Sequence, residues 1–241
     1  MTARDEILGK VHQALTKDGV ADATRKQAVA DRLAARAHHL LPQRGKDSGL
    51  AATARFQAEA ERVQATVARV ASMDDVPQAI ADYLAAHNLP ARIKMTPDPR
   101  LQAAPWGATA LKVAEGPAED ADTAGVSHAF GGVAETGTLV FTSGAETPVT
   151  VNYLPPLHIA VLRASEIAGN YEDIWARLRC ERDGAEGEGR FMPRTVNWIT
   201  GPSRTADIEL TLFLGIHGPK NLHIVIVGDV IVGDGRDDGG A

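Results

Sequence analysis

A carboxylate, two hydroxyls and a glycine stand together at Glu135-Thr136-Gly137-Thr138, directly ahead of the apolar run Leu139-Val140-Phe141. A glutamate entering an apolar strand is partly desolvated, which suits a nucleophile or a base; it equally suits a rim residue bonded to nearby backbone amides. A second polar group lies between Ile199 and Pro219. Gly201-Pro202-Ser203-Arg204-Thr205 follows a strand-like run and reads as a tight turn into a capped helix. The free amides of such a helix start attract an anion, with Ser203, Arg204 and Thr205 as further donors. On the plainer reading Ser203 is only an N-cap and Arg204 a surface charge. Asp207 and Glu209 lie two apart, so on a helix at most one faces a site, and Asp207 can pair with Arg204 instead. The stretch closes with Gly215-Ile216-His217-Gly218-Pro219, where His217 is placed for a ligand hydrogen bond or a proton transfer. His158 follows Pro155-Pro156 at the head of another strand. For both histidines the alternative is a ring satisfied by a backbone carbonyl.

Metal ligation is not expected from these residues, because neither histidine has an HxH or HxxxH partner. Cys180 is the only cysteine. That excludes an intrachain disulfide and any all-cysteine zinc or iron–sulfur site within the chain. Its place after Leu178-Arg179 in a helical pattern predicts burial at a helix end. Any redox chemistry must then use a bound cofactor or a partner subunit.

The elements that must position these groups change character along the chain. Residues 1–88 read as helical. Thr2 with Asp5 resembles a capping box ahead of Ile7, Leu8, Val11 and Leu15, and a second, Ala-rich helix carries Val29 and Leu33. Gln43 to Gly49 reads as a mobile link. Phe56, Ala60, Val63, Val67 and Val70 form one apolar stripe at alternating spacings of four and three. Asp74 or Asp75 is placed to cap a further helix with Ile80 and Leu84. The first two helices either cover the sheet or pack on another subunit.

From residue 91 the runs are short, β-like and broken by Pro and Gly. Arg92–Met95, Ala110–Val113, His158–Leu162, Thr195–Ile199 and Leu222–Val227 read as strands, with Ser165 or Asn170 capping a helix through Ile174 and Leu178. Gly184–Gly189 reads as an exposed loop, Val230–Val232 as a sheet extension and Gly235–Ala241 as a frayed tail. Strands alternating with helices, several apolar on both faces, give an α/β fold with an open, mostly parallel sheet flanked by helices. The expected division is an N-terminal helical extension, residues 1–90, and an α/β domain, residues 91–241. There is no GxxxxGK[ST] phosphate loop and no GxGxxG opening a first βα unit.

Bulk properties narrow the function classes. The 241 residues are 44% hydrophobic and 23% charged with a net charge of −6, ordinary for a globular chain that buries a core. An acidic balance with 5% aromatics argues against nucleic acid, anionic membrane and base-stacking platforms. No apolar run reaches the roughly 18 residues that a membrane helix needs, and no signal core opens the chain, so the expected compartment is the cytoplasm.

Four motifs in one order carry a resemblance: Ala134-Glu135-Thr136-Gly137-Thr138-Leu139, Leu154-Pro155-Pro156-Leu157-His158-Ile159, Gly201–Glu209 and Gly215-Ile216-His217-Gly218-Pro219. Together, over residues 91–228, they resemble the lactate utilization (LUD) domain family. The resemblance implies an open α/β sheet of the sugar-phosphate isomerase, deaminase and CoA-transferase superfamily (NagB/RpiA/CoA transferase-like). It further implies a part in bacterial oxidation of L-lactate to pyruvate beside iron–sulfur partner subunits, this chain holding no cofactor of its own. The pocket it suggests joins Glu135 and His217 as catalytic candidates with Thr136, Gly137, Thr138, His158, Gly201, Ser203, Arg204, Thr205, Asp207 and Gly218 around a small anionic ligand. Three functions follow: an accessory subunit of an iron–sulfur L-lactate oxidoreductase, an independent CoA-transferase-like or isomerase-like enzyme using Glu135, or a sensor of a small carboxylate.

Overall fold

A computed structural model describes residues 2–15, 22–35, 40–182, 192–206 and 212–228. Asp207, the loop Gly184–Gly189, Val230–Val232 and the tail after it lie outside the described residues. The chain forms two compact units, Met1–Leu40 and Leu41–Ala241, so the division expected at residue 90 falls inside the second.

The first unit holds α1 (Ala3–Leu15) and α2 (Asp22–Ala35), neither with a buried residue. The expected capping box is present: the Thr2 amide donates to Asp5 Oδ2 at 2.8 Å and the Asp5 amide to Thr2 Oγ1 at 3.3 Å, which occupies amides that the first helical turn leaves free.

In the second unit a single 3-10 turn, Gln43–Lys46, precedes α3 (Gly49–Arg62), β1 (Thr66–Val70) and α4 (Val76–Ala86). Then come β2 (Arg92–Met95), α5 (Pro99–Gln102), β3 (Lys112–Glu115), β4 (Ala124–His128), β5 (Gly131–Val133) and β6 (Thr138–Thr142). α6 (Thr150–Tyr153), β7 (Leu157–Arg163), β8 (Ile167–Ala168) and α7 (Tyr171–Arg182) follow, and β9 (Val196–Ile199), β10 (Arg204–Ala206), β11 (Leu212–Leu214) and β12 (Asn221–Val227) complete the unit.

Six strands form an open sheet in the order β1-β12-β7-β4-β2-β3, with every neighbouring pair parallel. This is the expected open parallel sheet with helical cover. Alternation along β7 shows why its run is apolar throughout. Ile159 and Val161 pack on one side with Ile80, Leu84 and Val225, and Ala160 and Leu162 on the other with Phe56, Leu139 and Ile224. Both faces are covered, so period-2 polarity vanishes. A second sheet, β8-β5-β6-β9, lies on the Phe56 side and was not foreseen. Its β5–β6 and β6–β9 pairs are antiparallel and its β5–β8 pair parallel, and Ile174 of α7 packs with its Val133 and Val140.

Several local expectations are corrected. The stripe from Phe56 to Val70 is not one helix: the helix stops at Arg62, Gln64 turns with φ 72° and Thr66–Val70 is a strand. Val67 packs with the Phe56 core and Val70 with the Ile80 core. An edge strand half-buried on both faces therefore carries valines three apart that mimic a helical stripe. The helix expected from Ser203 is instead a hairpin, Arg204–Ala206 pairing antiparallel with Leu212–Leu214, its backbone bonds running across strands rather than up a helix. Cys180 lies in α7 but is exposed, because Ile174 and Leu178, four apart, take the inward face. Gln43–Gly49 is more than a link: Gly45 is buried and its carbonyl accepts from Asn170 Nδ2 at 2.9 Å.

Two glycines hold the second sheet to α3. Gly137 has φ +64°, and a Cβ there would lie 2.4 Å from the Ala60 nitrogen; Gly201 has φ +74°, and its Cβ would lie 2.6 Å from the Val63 carbonyl oxygen. Both obstacles are backbone and cannot rotate away. Gly137→Ala is expected to cost about 2 kcal/mol or more, from left-handed strain plus this overlap. Urea denaturation of the variant against the parent measures it.

Candidate functional site

The strand order fixes where a site is most readily built. From β2 the chain steps outward to β3 on one side, while β4 and then β7 are laid on the other. The direction of winding thus reverses between β2 and β4, and the crevice beyond their carboxyl ends is the topological switch point of an open α/β sheet.

The side chains at that edge form one charged cluster. Asp98 caps α5, accepting from the Arg100 amide at 2.9 Å, and also takes Arg100 Nε at 3.0 Å and Nη2 at 2.6 Å. This two-pronged guanidinium–carboxylate pair is a strong and directional arrangement. Arg100 Nη1 also lies 3.5 Å from Glu166 Oε1, and Glu166 Oε2 accepts from the Arg163 amide at 3.3 Å. Arg177 lies over the Phe130 ring at 4.2 Å and donates from Nη1 to the Glu166 carbonyl at 3.2 Å. Arg100 keeps 35% of its side chain exposed, so solvent reaches the cluster there.

His128, the last residue of β4, is the innermost member. Its Nδ1 is 2.8 Å from the Ala129 carbonyl oxygen. A carbonyl only accepts, so Nδ1 carries the proton and the neutral ring presents a lone pair at Nε2. Nε2 is buried without a hydrogen-bond partner among the described residues. Glu166 Oε2, at 3.8 Å, is within ion-pair reach but too far for a hydrogen bond.

Burial first, then the positive charge of Arg100, lowers the His128 pKa to about 4. Burial raises that of Glu166. For Asp98 burial opposes ionisation, but the hydrogen bonds and charge of Arg100 outweigh it and hold the carboxyl below its ordinary range. A proton acceptor, a carboxyl easier to protonate than usual and guanidinium groups at one strand edge can bind a small anion and exchange a proton with it.

The residues singled out in the sequence lie elsewhere. Thr136 and Thr138 share hydroxyl hydrogen bonds with each other at 2.7 Å and with Tyr171 at 2.9 and 3.1 Å, and Thr138 meets Thr200 at 2.7 Å. Gly137 and Gly201 are contact points for α3. Arg204 is exposed and donates to the Val63 carbonyl at 2.5 Å, closing the end of α3 instead of facing a ligand. Thr205 pairs with Phe213 in the hairpin. Ser203, His217 and Gly218 form a small turn cluster: the His217 amide donates to Ser203 Oγ at 3.4 Å, a Cβ on Gly218 would lie 3.5 Å from Ser203 Cβ, and His217 is exposed. With a hairpin in place of a helix, the free amides expected to bind an anion at Ser203 are not there.

His158 sits at the amino end of β7, opposite the switch-point crevice. It is fully buried, with Nε2 2.7 Å from Ser127 Oγ and its ring 5.2 Å from that of Phe141. Glu135 is buried beneath Gly45. The four groups Asp98, Arg100, His128 and Glu166 were missed in the sequence. The available signal was modest: Asp98-Pro99 just past one strand, and a lone histidine closing another.

Comparison with known proteins places these observations. The LUD domain model matches residues 53–227, well over half of the chain. Lactate utilization protein C from Geobacillus sp. strain WCH70 is 34% identical over 124 residues, 52% of this chain and 49% of that protein. The protein of the same name from Geobacillus thermodenitrificans is 32% identical over 151 residues, 55% of this chain and 60% of that protein. Escherichia coli K12 has a relative known as uncharacterized protein YkgG, 35% identical over 105 residues, 44% of each chain. The chain thus spans about half the length of the curated relatives it matches. The crystal structure of a DUF162 family protein from Deinococcus radiodurans superposes with a TM-score of 0.55 at 23% identity, over 73% of this chain and 96% of that one. That likeness is one of fold.

The buried histidines set an acid limit on the protein. Burial lowers the pKa of His158 to about 3, and those of His128 and His223 to about 4, from 6.5. Each takes up a proton less readily folded than unfolded, so its contribution is complete above about pH 6.5 and is lost as pH falls toward the folded values. Thermal melts are expected to hold level from pH 8 to 7 and to fall steadily below about pH 6.5. His158→Gln should flatten that slope, whatever it does to the melting temperature at pH 7.

Proposed function

The chain belongs to the LUD domain family, and on that footing we propose that it is a non-cluster subunit of a bacterial system oxidising L-lactate to pyruvate. In this reading it works in the cytoplasm beside iron–sulfur subunits that carry the electrons. Its own task is to bind the small anion, lactate or pyruvate, at the carboxyl edge of the parallel sheet. The relatives named lactate utilization protein C support the system, and the single cysteine supports the division of labour. No helix among the described residues is long and apolar enough to cross a membrane.

One observation carries the choice of site: His128 Nε2 is a buried acceptor with no donor among the described residues, at the switch point and beside Arg100. A guanidinium suits the carboxylate of a hydroxy acid, and a free imidazole nitrogen suits its hydroxyl. Glu166 is placed to exchange a proton with the same ring. The ligand supplies a donor for Nε2 and a further acceptor for the partly exposed Arg100 guanidinium, which Asp98 and Glu166 already neutralise.

An independent enzyme working through Glu135 ranks second. The unpartnered Oε2 of that residue favours it, whereas Gly45 covers the carboxyl.

Calorimetric titration of the purified chain with L-lactate and with pyruvate tests the site. His128→Gln and Arg100→Ala are each expected to weaken binding about tenfold, about 1.4 kcal/mol. Affinity unchanged in both variants would remove the ligand from this edge. Separately, lactate-dependent growth should stop when the chain is deleted and return with the parent gene. Growth that persists would end the subunit reading.

A further inference from the structure

Glu135 is a polar group whose surroundings the switch-point site leaves unexplained. It continues β5 beside β8, its amide donating to the Gly169 carbonyl at 3.1 Å. Only 9% of the residue is exposed, and Oε2 is buried without a hydrogen-bond partner among the described residues. An ionised carboxylate only accepts, so a buried oxygen without a donor disfavours the arrangement that hides it.

What hides it is the turn Gln43–Lys46. Gly45 lies so close that a Cβ there would stand 2.9 Å from Glu135 Oε2 and 3.2 Å from Asn170 Cβ. The turn has few side-chain ties to the body. Asn170 Nδ2 donates to the Gly45 carbonyl at 2.9 Å, and Arg55 pairs with Asp47, both partly exposed. Arg44 and Lys46 are exposed. Beneath the turn, Gly169 supplies clearance: a Cβ there would fall 2.5 Å from the carbonyl oxygens of both Gly45 and Asp47.

We propose that Glu135 is the floor of a covered binding site and that Gln43–Lys46 is its lid. Lifting the lid gives Oε2 the donor that the closed arrangement denies it, the hydroxyl or ammonium group of a small molecule. Closing restores the Asn170 bond and the Arg55–Asp47 pair around the bound group. Glycine is required on both sides of the seam, at 45 above and at 169 below, because a side chain at either would hold the lid away. The site is separate from the carboxyl edge and stands or falls independently of the ligand assigned there.

Carbodiimide-driven coupling of glycinamide, read residue by residue by mass spectrometry, measures access to the carboxyl in the intact chain. In the parent protein Glu135 should couple far more slowly than the exposed Glu119. Gly169→Ala wedges the lid from below, and Glu135 should then couple about tenfold faster while buried Asp98 keeps its rate. Asp47→Ala cuts only the surface tie and should give a smaller rise, which keeps the test open should Gly169→Ala fail to fold. Glu135→Leu removes the unpaired acceptor, so amide exchange over residues 43–47 should slow. Glycerol, as a hydroxyl-bearing probe, should protect Glu135 from coupling in Gly169→Ala. Equal coupling of Glu135 in the parent and the folded variants overturns the lid, as does faster exchange of 43–47 in Glu135→Leu. Absence of glycerol protection overturns the donor-binding role.

Discussion

The end of α3 is where the two sheets are fastened together, and the fastening is made of backbone. Gly137 immediately precedes β6 and Gly201 follows β9 by one residue, and each rests on the last turn of that helix at a distance that excludes any side chain. The same helix leads through Ala65 into β1, the edge of the parallel sheet. Between the sheets lie Phe56, Leu139, Leu162 and Ile224. Their packing requires the separation that the two glycines set, since interiors tolerate little change in volume. Arg204 completes the junction by donating to the Val63 carbonyl at the carboxyl end of the helix, where free carbonyls and the helix dipole favour a cation.

At this junction several residues that read as chemistry in the sequence also hold the architecture together. Thr136, Thr138 and Thr200 flank the two glycines and satisfy one another with Tyr171. The comparison of His158 with His128 makes the same point electrostatically. Both rings are buried and held neutral at physiological pH. His158 spends Nε2 on Ser127 at the amino end of the sheet and leaves Nδ1 without a partner among the described residues. His128 at the carboxyl end spends Nδ1 on a neighbouring carbonyl and leaves Nε2 unused. Neither burial nor an unpartnered ring nitrogen separates the two; what separates them is the charged company of Arg100 and Glu166 at the carboxyl end, which His158 lacks among the described residues.

Much of the fold was legible from residue pattern. The runs in β2, β7, β9 and β12, the Asn170 cap of α7 and the helix with Ile80 and Leu84 all announced themselves, because local turn and capping chemistry agreed with the tertiary outcome. Two failures share one cause. Val67 with Val70, and Ser203 with Arg204-Thr205, carry signals that helix and strand can both produce. Pairing with β12 in one case and with Leu212–Leu214 in the other settled them. Asp98, Arg100, His128 and Glu166 come from three crossovers of the sheet, so no local spacing connects them. They become a set only once the strand order is known.

The position of β12 carries a consequence for how the molecule is made. It lies between β1 and β7, and Thr66 finds its partner only at His223. Among the described residues β1 has no other neighbour in the finished sheet, so during synthesis it waits with an unpaired edge until residues 221–227 have left the ribosome. Pairing across so long a separation is slow, and an open apolar edge in the interval invites association with other chains. A nascent chain halted just short of Asn221 would hold all of the crevice residues yet lack the strand that joins β1 to the other four strands of its sheet.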